Sequence, residues 1–181
     1  MAAGMCIFNN GSIVGCSFKG ELASNNNRGV AGIAYYNNEP NGLISDCVNY
    51  GQMEIFLNDE GDAWWVGAGG ICQSNSGWIQ RCVNKGTIIA ANGDNSVSAG
   101  GIVSGNDGTI IDCYNFGEIT TSNNSTSAQA VGVGGIAGGA DNGKLTNCRN
   151  NGEVKDISCS AGGAEGGSVG WIKSRKMTMT N

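Results

Sequence analysis

One pattern recurs along this chain and limits its possible folds more than any other feature. In its fullest copy, residues 108–119, it has the form Gly-x-Ile-x-x-Cys-x-Asn-x-Gly-x-Ile. A period of 20–50 residues is typical of repeat architectures in which each unit stacks only on its neighbours. Aligned on its cysteine, the pattern returns at spacings of 31, 35, 31 and 35 residues: Cys16, Cys47, Cys82, Cys113 and Cys148.

The spacing of apolar residues indicates strands rather than helices. Cys113 and Asn115 are two positions apart, and so are Val66 and Ala68 at the start of the third copy. Side chains two apart share one face of a strand, whereas each Gly would cost a helix about 1 kcal/mol. Gly accounts for 32 of the 181 residues, which indicates frequent tight turns. We therefore predict an all-β, parallel β-solenoid of five to six coils, each of 31–35 residues and about three short strands.

The whole chain, residues 1–181, is predicted to form one solenoid domain. Its copies span approximately 1–30, 31–65, 66–96, 97–130, 131–158 and a partial 159–172, followed by a tail at 173–181. Variable arms separate the copies, at 23–29, 54–65, 89–96, 120–130 and 155–158. Because the variation falls at one place in each repeat, we expect the arms to leave from one face or edge.

Stacked copies would place the five cysteines in one column. Cysteine exchanges with Val, Ala and Ile at other repeat positions, which favours buried free thiols in this column. Disulfides between neighbouring coils and a metal column are the alternatives, although the chain has neither His nor a CxxC pair.

A second predicted column holds asparagines whose side-chain amides would form a hydrogen-bonded ladder. Its members are Asn49, Asn84, Asn115 and Asn150. The glycine two positions after each column residue is predicted to adopt positive φ in a turn. These glycines are Gly51, Gly86, Gly117 and Gly152, together with Gly20, which follows Phe18 at the equivalent position of the first copy.

The second arm contains the most distinctive candidate site. It places Asp59, Glu60 and Asp62 beside Trp64 and Trp65. It is interpreted as a solvated loop with one Trp packed inward or as a carbohydrate platform, where indoles stack on sugars and carboxylates hold hydroxyls. A Ca²⁺ site and a glycosidase-type carboxylate pair are further hypotheses. Apart from this Ca²⁺, no cofactor is predicted.

Trp78 is the remaining candidate for ligand binding. It occupies the x of Gly-x-Ile in the third copy, a position predicted to point outward. Partial packing beneath an arm is the alternative interpretation of this side chain.

Composition excludes several classes of function. The net charge is −5 and no basic stripe is present, so nucleic-acid binding is not expected. No apolar run approaches the roughly 20 residues that a membrane-spanning helix needs. The absence of His removes His-based triads and His metal sites. No signal peptide is visible before residue 1, which already lies inside a repeat, so we expect a trimmed chain or a fragment.

The repeated unit, most clearly residues 134–154, resembles the GLUG-type repeats of large bacterial surface proteins, including adhesin-like ones. The resemblance covers about residues 3–172. It implies a secreted or cell-surface location and a non-catalytic stalk or adhesion module. Its expected partners are a glycan or a host or bacterial surface protein. A filament subunit that self-associates end to end is the alternative, followed by a β-helix enzyme acting on polysaccharides.

Overall fold

The computed structural model describes residues 1–25, 28–57, 65–92, 96–123, 131–140 and 142–156. It describes the backbone alone for residues 57, 65, 92, 123, 131, 140 and 156, and for 163–166, 169–172 and 178–180. Every secondary-structure element assigned within these residues is a β-strand. Each strand pairs in parallel with its equivalents in neighbouring coils. The predicted all-β, parallel β-solenoid is therefore confirmed.

The strands form five sheets, which we number in the order in which the chain visits them in each coil. The first sheet contains β1 (Ala2–Ala3), β6 (Gly29–Ala31), β11 (Trp65–Gly69), β16 (Ser96–Gly100), β21 (Val131–Gly134) and β26 (Gly163–Gly166). The second contains β2 (Cys6–Asn9), β7 (Ala34–Asn37), β12 (Cys72–Asn75), β17 (Val103–Asn106), β22 (Ala137–Ala140) and β27 (Val169–Ile172). The third contains β3 (Ser12–Val14), β8 (Leu43–Ser45), β13 (Trp78–Gln80), β18 (Thr109–Ile111), β23 (Lys144–Thr146) and β28 (Thr178–Thr180).

The last two sheets have five strands each. The fourth contains β4 (Ser17–Phe18), β9 (Val48–Asn49), β14 (Val83–Asn84), β19 (Tyr114–Asn115) and β24 (Arg149–Asn150). The fifth contains β5 (Glu21–Asn25), β10 (Gln52–Leu57), β15 (Ile88–Asn92), β20 (Ile119–Asn123) and β25 (Val154–Asp156).

The prediction of about three strands per coil is wrong, because each complete coil has five. The fifth sheet occupies residues that were assigned to the arms, such as 54–57 in β10. In that strand Met53 and Ile55 are buried and alternate with the half-buried Glu54, as a strand with one buried face requires. Residue identity changes from copy to copy in this sheet, so alignment on shared letters does not reveal it.

Equivalent residues stack directly above one another. Ile79 lies opposite Ile44 in the coil before and Ile110 in the coil after. All three side chains are fully buried. Stacking therefore buries a face that a single coil would leave in water.

Two separate hydrophobic cores run along the solenoid. The first is enclosed by the second, third and fourth sheets and contains the Ile44, Ile79 and Ile110 column together with the central cysteines. The second lies between the first and fifth sheets, where Ile55 and Ile88 meet Val66 and related residues. The coil thus has two lobes that share the first two sheets as their dividing wall.

Glycine allows the first two sheets to pack directly on each other. A Cβ at Gly69 would lie 1.8 Å from the Cys72 carbonyl oxygen, and one at Gly100 would lie 1.9 Å from that of Val103. Both distances are far below van der Waals contact, so no side chain fits. This close approach of backbone to backbone explains the first Gly of the Gly-Gly-Ile start in the third and fourth copies.

Positive φ occurs at a different turn from the one predicted. Of the five glycines predicted to need it, only Gly20 has it, at 137°. The left-handed corner lies instead immediately before the column cysteines, with φ between 49° and 66° at Gly15, Asp46, Arg81, Asp112 and Asn147. Glycines such as Gly86 are required for space, since a Cβ there would lie 1.8 Å from the Gly51 carbonyl oxygen.

Candidate functional site

The predicted ligand-binding arm falls largely outside the described residues. Asp59, Glu60, Asp62 and Trp64 lie there. Trp65 begins β11, and only its backbone is described. The structure therefore fixes where this arm attaches, which is the end of β10 and the start of β11.

All the variable arms attach along one edge of the solenoid. Each joins the last strand of one coil, in the fifth sheet, to the first strand of the next coil, in the first sheet. Between these two sheets the connections run from residue 25 to 29, 57 to 65, 92 to 96, 123 to 131 and 156 to 163. Because both sheets are continuous and in register, the attachment points form a single row.

Trp78 lies elsewhere, on the outward face of the third sheet. It is 50% exposed and stacks between Leu43 and Thr109 of the neighbouring coils. The third sheet is separated from the arm edge by the second sheet on one side and the fourth on the other. The structure does not bring Trp78 together with the arm residues in one site.

The cysteine column lines the first core. Cys47, Cys82 and Cys113 are fully buried, whereas the terminal Cys16 and Cys148 are half-buried. Each Sγ of the last four contacts the carbonyl oxygen two residues before it, at 3.2 or 3.3 Å. All seven described cysteines are free thiols.

The column does not treat its thiols alike: hydrogen bonds with Cys113 and Cys47 lower the pKa of Cys82 and one with Cys113 lowers that of Cys148, whereas the thiolate form is disfavoured at Cys113 and Cys47. Burial, with hydrogen bonds to the Cys148 and Cys82 thiols, holds the pKa of Cys113 well above its ordinary value. A hydrogen bond to the Cys82 thiol and burial likewise raise the pKa of Cys47. Burial also raises the pKa of Cys72, which belongs to the second sheet. Desolvation makes a charged sulfur costly, so Cys47, Cys72 and Cys113 rest in the neutral thiol form at neutral pH.

The predicted asparagine column forms a continuous ladder. Asn49 Nδ2 donates to Asn84 Oδ1 at 2.8 Å, Asn84 Nδ2 donates to Asn115 Oδ1 at 2.8 Å, and Asn115 Nδ2 donates to Asn150 Oδ1 at 2.7 Å. Each of the four also donates to the carbonyl oxygen two residues later, which is that of a glycine. The amides therefore tie each turn to itself and each coil to the next.

A second asparagine ladder, in the second sheet, was missed by sequence reasoning. Asn9, Asn37, Asn75 and Asn106 donate one to the next from Nδ2 to Oδ1 at 2.8 Å. Their spacings of 28, 38 and 31 residues are irregular because the arms differ in length and because the turn between β7 and β8 is three residues longer than that between β12 and β13. Aligned on the preceding Ile33, Ile71 and Ile102, the last three all fall four residues later, and this signal would have revealed them.

The left-handed corner before the cysteines carries the best-formed ion pair of the described residues. The Arg81 guanidinium binds both carboxylate oxygens of Asp46 in the preceding coil, at 2.7 and 2.8 Å. Hydrogen bonds from Arg81 and Ser45 lower the pKa of Asp46 to about 2. At this exposed corner the pair ties two neighbouring coils together.

Acidic, cysteine and histidine side chains do not assemble into a metal site within the described part of the chain, where no group of three could hold an ion. The Ca²⁺ hypothesis concerned the arm carboxylates, which lie outside that part. No helix in the described ranges is long and apolar enough to cross a membrane.

Together, the in-register coils, the internal ladders and the single row of arms define a β-solenoid repeat protein. Comparison with protein families then adds a more specific assignment: the family model of the GLUG motif matches residues 129–155. This stretch contains β21 to β24 and the start of β25, so it amounts to most of the fifth coil. The suspected GLUG-type repeat is confirmed there. Comparisons with curated proteins and with solved structures give no significant match.

Proposed function

We propose that the chain is a non-catalytic repeat module of a bacterial cell-surface or secreted protein. It serves as a stalk and adhesion module whose arms bind a glycan or a surface protein. The observation that carries the proposal is the single row of arm attachment points along an otherwise regular rod. A regular body keeps the arms at a fixed spacing, and loops held on a rigid scaffold are common positions for binding residues.

The rod-like part of the proposal is supported by the two ladders and two cores that run from coil to coil. A column of buried hydrogen-bonded amides resists sliding of one coil over the next, because a slip would leave several amides without partners. The GLUG motif supports a repeat module in general terms.

The ligand class is inferred from the arm at residues 58–65. Two adjacent indoles offer flat apolar faces for the C–H face of a sugar ring, while Asp59, Glu60 and Asp62 offer acceptors for its hydroxyls. The same carboxylates are suitable ligands for a bound Ca²⁺.

Glycan-array binding with matched tryptophan variants tests the proposal. Trp64→Ala or Trp65→Ala should abolish binding, whereas Trp78→Ala, which removes an exposed indole from another sheet, should not. Addition of a chelator tells whether ligand binding requires Ca²⁺. Loss of binding only in Trp78→Ala, or the absence of any glycan or protein ligand, would contradict the proposal. Release of new reducing ends from polysaccharides would contradict its non-catalytic part.

A second candidate function is end-to-end self-association. Four of the eight large apolar side chains that are exposed in the described part belong to the first coil, namely Met1, Met5, Phe8 and Val14. Unpaired strand edges beside apolar side chains favour association. We rank it second because the second asparagine ladder ends at Asn106, where the next coil has Ala140 and therefore no amide to continue it.

Sedimentation velocity at rising concentration tests this candidate. Phe8→Ser, in the first coil, should reduce association, whereas Phe116→Ser, which changes another exposed phenylalanine in the fourth coil, should not. A single monomeric species at all concentrations would exclude it.

A further inference from the structure

The cysteine column has an asymmetry between its ends and its middle. Cys16 and Cys148 are each half-buried and accessible to a small reagent. Cys47, Cys82 and Cys113 are fully buried. Each accessible thiol has one fully buried neighbour in the column, which is Cys47 for Cys16 and Cys113 for Cys148.

The stacking brings neighbouring column cysteines within disulfide range. Residues that flank them are paired in register, with Val83 opposite both Val48 and Tyr114. Equivalent positions on neighbouring parallel strands are about 4.8 Å apart, inside the Cα range of about 4.4–6.8 Å seen for disulfides. The Cys82 amide N–H donates to Cys113 Sγ at 3.4 Å, so one coil's sulfur reaches the backbone of the next.

We propose that the column is a site of coil-to-coil disulfide formation, with the pairs Cys16–Cys47 and Cys113–Cys148 and with Cys82 left reduced. The oxidant is a small-molecule disulfide. The thiolate of Cys16 attacks it and forms a mixed disulfide, releasing one small thiol. The Cys47 sulfur then attacks Cys16 Sγ and displaces the second small thiol, and the two protein protons end on the two released thiols. Cys148 and Cys113 react in the same way.

Cys82 stays reduced because the column has an odd number of cysteines. Oxidation begins where a reagent reaches a sulfur, which is at the two ends. Once both end pairs have formed, Cys82 has no reduced neighbour in its column. Cys6 is also half-buried, but its neighbour in the second sheet is Ala34, so it has no cysteine beside it.

Peptide mapping of the oxidised protein tests the pairing. Cleavage after Lys and Arg places each column cysteine on its own peptide: 1–19, 29–81, 82–85, 86–144 and 145–149. The folded chain is treated with oxidised glutathione, then unfolded with a thiol-alkylating reagent and digested. We expect peptide 1–19 joined to 29–81, peptide 86–144 joined to 145–149, and peptide 82–85 alkylated.

Fragmentation of the linked peptides must identify Cys16 and Cys47 as the joined residues, because Cys6 and Cys72 lie on the same two peptides. Oxidation in urea serves as the control and should give mixed pairings. Glutathione left on Cys16 or Cys148, a link within peptide 1–19, a link to Cys159, or no reaction at all would each overturn the proposal.

Two variants separate the pairing from a general effect on folding. Cys82→Ala should keep both links. Cys148→Val should leave peptide 86–144 alkylated while peptides 1–19 and 29–81 remain joined. A new link between Cys82 and Cys113 in Cys148→Val would overturn the rule that oxidation starts only at the ends.

Discussion

The substitution Asn84→Ala tests how much an asparagine ladder contributes to the free energy of unfolding. Asn84 is fully buried in the middle of its column. Its Nδ2 donates to Asn115 Oδ1 at 2.8 Å and to the Gly86 carbonyl at 3.0 Å. Its Oδ1 accepts from Asn49 Nδ2 at 2.8 Å and from the Gly86 N–H at 3.2 Å. All the hydrogen-bonding capacity of the amide is therefore used.

The expected magnitude follows from these four hydrogen bonds. Each contributes about 1 kcal/mol net, with a range of about 0.5–1.5 kcal/mol, so their loss should lower the free energy of unfolding by about 4 kcal/mol. Asn49 Nδ2 and Asn115 Oδ1 keep one partner each, at Gly51 and Gly117. The buried Gly86 N–H loses the acceptor it has in Asn84. The contribution of that hydrogen bond is therefore expected in the upper half of the range of about 0.5–1.5 kcal/mol.

Urea unfolding followed by circular dichroism measures this loss. The matched control is Asn151→Ala, which removes an asparagine side chain from an exposed position beside the end of the same column. The control should change stability by no more than about 0.5 kcal/mol. If Asn84→Ala costs no more than Asn151→Ala at an unchanged m-value, the ladder does not stabilise the stack and the reasoning fails.

Two other predictions concern a turn and a corner. Gly86→Ala should destabilise the fold by more than about 2 kcal/mol, because the new Cβ would lie 1.8 Å from the Gly51 carbonyl oxygen. Gly105→Ala is the control and should be tolerated, because its new Cβ would enter open space. Thermal unfolding of both variants measures the difference. The folded-state pKa of Asp46 is lowered to about 2 by its bond to Arg81, below an unfolded value of about 3.9. The stabilisation from this pair is therefore present above about pH 4 and is lost as the pH falls towards 2. Acid titration of Asp46→Asn should show no such loss, and identical acid transitions in both proteins would contradict the assignment.

The fold class could be predicted because stacking forces equivalent positions to resemble one another. The columns that begin at Cys16 and Asn49 repeat the same letter in successive coils, so a fixed period appears in the sequence. The fifth sheet escaped detection because its columns demand only a buried or exposed side chain. Ser24, Ile55, Ala90 and Thr121 share one buried position there and have no letter in common.

The corner before the cysteines did carry a signal in the sequence that was not recognised. It needs positive φ, and four of its five residues, Gly15, Asp46, Asp112 and Asn147, are of types that favour this conformation, whereas Arg81 is not. The glycines two residues after the column asparagines were assigned the wrong requirement, since they are selected by the neighbouring coil's carbonyl group. Backbone crowding between coils leaves no signal in the sequence that separates it from positive φ.

The candidate site was predictable in position only. The sequence shows that the copies differ mainly in the arms between them. The strand order shows that these arms connect the fifth sheet to the first. The chemistry of the arm rests on the identities of Asp59, Trp64 and their neighbours. Binding by these residues therefore stays a proposal that the tryptophan variants test.

Long-range proton contacts measured by NMR in solution test the central claim of in-register, parallel stacking most directly. The backbone of Val83 should show contacts to Val48 and to Tyr114, which lie 35 residues before and 31 residues after it in sequence. The same two separations should recur around Asn84, opposite Asn49 and Asn115. Contacts confined to residues a few positions away, as antiparallel hairpins would give, would contradict the solenoid and the ladders, cores and arm row derived from it.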